Sequence, residues 1–87
     1  MNKYEALGRY IEAKEEFDKL KQRRTVFANK IAETAQYLSS SNTKNLQEKT
    51  LEISEMLNQL TVLNDEALEL VDQINQYAEI CGRPKVS

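Results

Sequence analysis

The sequence contains no histidine and no tryptophan, and only one proline, two glycines and one cysteine among its 87 residues. Sheets and active sites built from loops depend on turn residues, so their scarcity favours long helices. Most acid–base and metal chemistry in proteins uses imidazole, which this chain cannot supply. We therefore expect an all-α protein that is not an enzyme and has no cofactor, no metal site and no catalytic residue.

A single cysteine, Cys81, cannot form a disulfide within the chain. No apolar run approaches the roughly 18 residues of a membrane-spanning helix, and no secretory signal pattern is present. These features predict a protein of the reducing cytoplasm that does not use a membrane as its partner.

The charge is nearly balanced, with 12 Lys and Arg residues against 14 Asp and Glu residues, a net charge of -2. A dedicated nucleic-acid binder carries a strongly basic surface, so this balance makes another protein the expected partner.

The interior of the chain has one segment rich in residues that resist helix formation, from Ser39 to Thr43. We predict a single domain, residues 1–87, with helix 1 at about 3–38, a loop at 39–44, helix 2 at about 45–81 and a tail at 82–87, in which Lys85, Val86 and Ser87 should be frayed. Asn2 with Glu5, and Asn45 with Glu48, have the spacing of N-terminal capping boxes. Gly82 is expected to end helix 2 by taking a left-handed conformation.

Apolar residues repeat every seven positions in both helices, with Tyr10 and Leu46 as first members of their a series. Such heptads predict an antiparallel pair of helices joined by the serine-rich turn, with facing residue numbers that sum to about 87. Arg24 also falls on this stripe, where its guanidinium is expected to reach Asp65 or Glu66.

Both apolar stripes are wider than two helices can bury, because Leu57 and Val71 extend the stripe of helix 2, and Ala28 and Ala32 extend that of helix 1. The fold predicted is a long antiparallel helical hairpin that pairs into a dimeric four-helix bundle. The predicted core of hairpin and dimer consists of Tyr10, Phe17, Leu20, Phe27, Ile31, Leu46, Ile53, Leu57, Leu60, Leu63, Leu70, Val71, Ile74 and Tyr77.

The heptad-bearing helix–loop–helix resembles the Rop family of plasmid copy-number proteins, whose hairpins dimerise into four-helix bundles that bind RNA. The likeness covers the architecture of both helices; this chain is several turns longer, and no RNA-contact residue of that family maps to a position here. The opening stretch Met1 to Leu7 is similar to small accessory proteins of temperate phages and prophages.

Three functions follow as hypotheses. The first is a non-enzymatic homodimeric helical protein that regulates another macromolecule by binding it, such as a phage or prophage accessory factor. The second is a Rop-like regulator that binds RNA or DNA, and the third is a structural subunit of a mixed helical assembly. The candidate nucleic-acid contacts of the second are Lys14, Lys19, Lys21, Arg23 and Lys30.

Overall fold

The computed structural model describes all 87 residues and consists of two α-helices, with no strand. Helix α1 spans Lys3–Ala35 and helix α2 spans Thr43–Cys81. They lie antiparallel and form a rod of 61 × 15 × 15 Å. The predicted all-α hairpin is confirmed.

Helix α1 begins as predicted, because the side-chain oxygen of Asn2 accepts a hydrogen bond from the backbone N–H of Glu5 at 2.8 Å. It ends at Ala35, three residues earlier than predicted. The hydroxyls of Ser40 and Ser41 donate to the carbonyl oxygen of Tyr37, so the serines take a carbonyl that a continuing helix would use.

Helix α2 begins at Thr43, two residues earlier than predicted. The N-cap is Asn42, whose side-chain oxygen accepts from the backbone N–H of Asn45 at 2.9 Å. The predicted capping role of Asn45 was therefore wrong: Asn45 supplies a capped N–H group, and Asn42 supplies the cap.

At its other end α2 stops at Cys81, where Gly82 takes the left-handed conformation with φ of 71°. The predicted fraying beyond this point was wrong. The hydroxyl of Tyr10 donates to the carbonyl oxygen of Pro84 at 2.9 Å, and Asn75 holds the backbone of Val86 through two hydrogen bonds. We call residues 83–87 the C-terminal strap.

The buried core occupies only one half of the rod. Only ten residues are buried, and all lie in the terminal half, which we define as residues 1–20 and 61–87. They are Ala6, Tyr10, Ala13, Phe17, Leu63, Ala67, Leu70, Ile74, Ala78 and Cys81. The loop half, residues 21–60, contains no buried residue.

The two helices face each other within one turn of the predicted register. Leu20 and Leu70 line one groove between the helices, and Ala13 and Tyr77 line another. Residues of two helices that line one groove lie at similar levels along the rod, so these pairs agree with the predicted register to within about one helical turn.

Candidate interaction surface

The rod has two long sides that differ in charge. In an antiparallel pair, the heptad e positions of both helices flank one side of the core and the g positions flank the other. With Tyr10 as an a position, the b residues lie next to e, and the c residues lie next to g. We call the e and b surface the uncharged side and the g and c surface the charged side.

Helix α2 has no ionisable residue at any e or b position along its length. These positions are Gln47, Thr50, Ser54, Leu57, Thr61, Asn64, Leu68, Val71, Asn75 and Ala78. The hydroxyls of Thr50 and Thr61 donate to the carbonyl oxygens of Leu46 and Leu57 at 2.7 and 3.0 Å. Because these hydroxyls are already satisfied, covering them with apolar atoms leaves no donor unpaired.

Helix α1 continues the uncharged side in the loop half with four small residues, Thr25, Ala28, Ala32 and Ala35, all exposed. The Thr25 hydroxyl donates to the carbonyl oxygen of Lys21 at 3.1 Å. Beside this small-residue face, α2 contributes Leu57, which is 48% exposed, and the adjoining a position Leu46 is 40% exposed. Apart from Lys21 at its boundary with the terminal half, the loop half therefore presents an uncharged surface built from both helices.

In the terminal half the chain itself covers part of the same side, although Ile11 and Leu68 remain 49% and 57% exposed there. The C-terminal strap lies along it, fastened to Asn75, and Val86 packs against the buried core. Lys14 lies over the ring of Tyr10 and Lys21 over that of Phe17, with ammonium-to-centroid distances of 6.0 and 5.2 Å. These lysine stems cover apolar surface while their charges stay in water.

The charged side carries residues of both signs. A shallow groove there is lined by Glu16, Lys19 and Arg23 from α1 and by Glu66, Glu69 and Gln73 from α2. These side chains are exposed and form no ion pair within 4.0 Å in the structure, so water solvates them. A second polar groove lies beside it towards the chain ends.

The five basic residues proposed to contact nucleic acid do not form one surface. Lys14 and Lys21 occupy the uncharged side, whereas Lys19, Arg23 and Lys30 occupy the charged side, where carboxylates lie among them. A phosphate backbone binds best to a continuous basic surface, and this arrangement does not supply one.

Arg24 is exposed and forms no salt bridge, so the predicted pairing with Asp65 or Glu66 was wrong. The loop half around it is open to water, and a solvated guanidinium gains little from an exposed carboxylate.

The predicted core residues fall into three groups by burial. Those buried are Tyr10, Phe17, Leu63, Leu70 and Ile74. Those half-buried are Leu20, Phe27, Ile31, Ile53, Leu60, Val71 and Tyr77. Leu46 and Leu57 are exposed. The half-buried and exposed members lie mostly in the loop half, where one hairpin leaves its stripe incompletely covered.

The C-terminal strap forms an ion pair with α2. The ammonium of Lys85 lies 2.8 Å from Oε1 of Glu79 and lowers the pKa of that carboxyl below its ordinary value, through a hydrogen bond and through the charge itself. No group of three or more acidic or cysteine side chains is arranged to hold a metal ion, and the thiol of Cys81 is buried and free. Neither helix has a stretch long and apolar enough to cross a membrane.

Sequence reasoning missed the residues that fasten the C-terminal strap. Asn75 lies among polar residues at an ordinary surface position, and its role depends on Val86, eleven residues further along the chain. The only signal in the sequence was the presence of Gly82 and Pro84 two residues apart, which indicates that the chain turns there.

The chain matches no protein-family model, no curated protein and no solved structure. The surface just described is therefore the basis for an assignment of function.

Proposed function

We propose that this protein is a non-enzymatic, homodimeric helical interaction protein that regulates another macromolecule by binding it. The uncharged side of the loop half joins two copies into a four-helix bundle, and the charged side is left to face the partner.

The observation that carries this proposal is the unequal burial of the two halves. Ile74 in the terminal half is 0% exposed, whereas the loop half has no buried residue although the same heptads run through it. Phe27, Ile31 and Ile53 remain only half-buried there. Incompletely buried apolar residues on both helices support an interface at the loop half, because their removal from water stabilises association.

The charged side supports the binding role because acidic side chains recur at regular intervals along α2. Helix α2 places exposed carboxylates along it, with Glu52 and Glu66 at g positions and Glu48, Glu55 and Glu69 at c positions. Such a row gives a negative field along the rod, and this field attracts basic protein surfaces and speeds their association. The expected partner is therefore a protein with a basic surface.

Self-association is tested by sedimentation equilibrium of the wild type and of two matched variants, Leu57→Glu and Leu51→Glu. Leu57 lies on the uncharged side and is 48% exposed, whereas Leu51 lies on the outer face of α2 and is 66% exposed. We expect the wild type to be a dimer at micromolar concentration. Leu57→Glu should raise the dissociation constant by about 100-fold or more, because it places a charge in an apolar interface.

Leu51→Glu serves as the control and should leave the dimer intact, since that residue points away from the proposed interface. A wild type that sediments as a monomer of 10.1 kDa at micromolar concentration would reject the dimer. Equal weakening by both variants would reject the uncharged side as the interface.

The binding role is tested separately by affinity purification from native cells at low and high salt. Partners held by the charged side should be lost as salt rises, because the attraction between exposed charges is screened. An intact dimer that retains no partner at low salt would leave the protein without the proposed regulatory role.

A further inference from the structure

We infer that the two copies dock with their loops at the same end, so that α1 of each copy lies over α2 of the other. This inference rests on the self-association proposed above and specifies its geometry. The dimer is then a four-helix bundle at the loop end and two separate hairpins at the end that carries the chain termini.

The first argument is the change in the uncharged side along the rod. In the loop half it is open, and Ala28, Ala32 and Leu57 are exposed. In the terminal half the C-terminal strap and the stem of Lys14 cover part of it, and Lys21 lies at the boundary between the two halves. If full-length rods docked with loops at opposite ends, the apolar loop half of each copy would meet the strap and Lys14 of the other. Docking with loops together places open surface against open surface.

The second argument is the size of the side chains. On the uncharged side of the loop half, α1 contributes the small residues Ala28, Ala32 and Ala35, and α2 contributes the large residue Leu57. Helices pack closely when large residues of one face small residues of the other. Placing α1 over the partner's α2 makes that pairing twice, related by the two-fold axis.

In the predicted register, Ala28 and Ala32 lie at nearly the same level along the rod as Leu57 on the neighbouring helix. The two-fold axis along the rod preserves that level between copies. Leu57 of one copy therefore lies against Ala28 and Ala32 of the other, and Leu57 of that other copy makes the same contact in return.

The third argument is charge. Helix α1 carries eight basic and six acidic residues, whereas α2 carries two basic and eight acidic residues. Docking with loops together places each net-positive α1 over a net-negative α2. The opposite orientation places α2 over α2 with like net charge, which is unfavourable between partly desolvated surfaces.

A staggered arrangement remains, in which the loop halves overlap head to tail. It also avoids the strap, but it places α1 over α1 and α2 over α2. The large side chains of α2 then face each other and the alanines of α1 face each other, so both the size and the charge arguments disfavour it.

The experiment measures distances between spin labels in the dimer by pulsed electron resonance. The single native thiol is removed by Cys81→Ala, which keeps a small apolar group in the core, and a label is introduced by Ser40→Cys in the turn. A second protein carries Gln76→Cys, exposed in the terminal half, on the same background. Circular dichroism and sedimentation confirm that each variant keeps its helices and its mass.

With the loops together, the labels at residue 40 should lie about 20 Å apart or less, since one layer of helices separates them. The labels at residue 76 should lie further apart than those at 40 because the straps hold the terminal halves apart, but still within about 45 Å.

Turn labels separated by about 30 Å or more would overturn this inference while leaving the dimer intact, because overlapping loop halves in opposite orientation separate the turns by that length. Absence of any dimer by sedimentation would overturn the proposed self-association as well. If Cys81→Ala unfolds the chain, Cys81→Ser replaces it, and the same distances decide the outcome.

Discussion

The side chain of Asn75 pairs with the backbone of Val86 in the manner of a strand, donating from Nδ2 to the carbonyl oxygen at 2.9 Å and accepting the N–H at Oδ1 at 2.8 Å. Two hydrogen bonds from one amide fix both the position and the direction of the C-terminal strap. The strap in turn covers part of the terminal half of the uncharged side.

Asn75→Ala should release the strap without unfolding the hairpin. Both hydrogen bonds to Val86 are lost, but alanine favours helix over asparagine, so the free energy of unfolding should change by less than about 1 kcal/mol. The Val86 amide should exchange with solvent at the rate of an unprotected peptide, as NMR would measure. Asn58→Ala, at an exposed position without a contact, is the matched control. A Val86 amide as protected in Asn75→Ala as in the wild type would contradict the assignment.

Ile74→Ala should be among the most destabilising substitutions in the chain. Ile74 is 0% exposed and lies at the centre of the buried cluster. Its truncation leaves a cavity, and the expected loss is about 2–5 kcal/mol in chemical denaturation. The same substitution at the exposed Ile80 should cost less than about 1 kcal/mol. Equal losses at the two positions would show that the core lies elsewhere.

Asn42→Ala should destabilise the protein, whereas Asn45→Ala should not. The side chain of Asn42 caps α2, and its loss is expected to cost about 1 kcal/mol. Asn45 contributes only its backbone N–H to that contact, which alanine retains. Thermal unfolding of both variants compares the stability that each asparagine side chain contributes. A larger loss for Asn45→Ala would show that α2 begins at Asn45, as predicted from the sequence.

Replacement of each glycine by alanine should have opposite effects. Gly82 has φ of 71°, where a side chain strains the backbone although no atom lies within 4 Å, so Gly82→Ala should cost about 1 kcal/mol. Gly8 lies within α1 with open space around it, and Gly8→Ala should stabilise by about 0.5–1 kcal/mol. Denaturation midpoints measure both effects. Destabilisation by Gly8→Ala would show that the space around Gly8 is not open.

The contact between the strap and α2 should weaken in acid. Lys85 lowers the pKa of Glu79 in the folded protein below the ordinary value of 4.5. The contact is thus fully present above pH 4.5 and is lost as the pH falls through the lowered pKa, where the carboxylate becomes protonated. An NMR titration of the Glu79 carboxyl carbon measures this, and Lys85→Met should return its pKa towards the ordinary value. An unchanged pKa in that variant would show that the ion pair does not form in solution.

The helical hairpin was predictable because its signals are local. The heptads, the caps at Asn2 and Gly82, and the serine-rich turn each act within a few residues. The ends nearest the turn were predicted less well. Ala35 and Asn42 became the boundaries because several neighbouring serine, asparagine and threonine side chains compete for the same backbone groups, and only the folded geometry decides among them.

The sequence predicted which residues form the candidate surface, but not how many of them stay exposed. The apolar e positions, Leu57 and Ala28 among them, can be read from the heptads. Which of them stay exposed depends on where the strap lies, and the strap is placed by contacts between residues far apart in the sequence, Tyr10 with Pro84 above all.

The sequence by itself determined that this chain forms two long amphipathic helices folded back on each other, because periodicity and capping act over single turns of helix. The tertiary structure alone decided that the terminal half is closed and the loop half is open. On the uncharged side that difference arises in part because the segment beyond Gly82 returns along the terminal half, where it bonds to Tyr10 and Asn75.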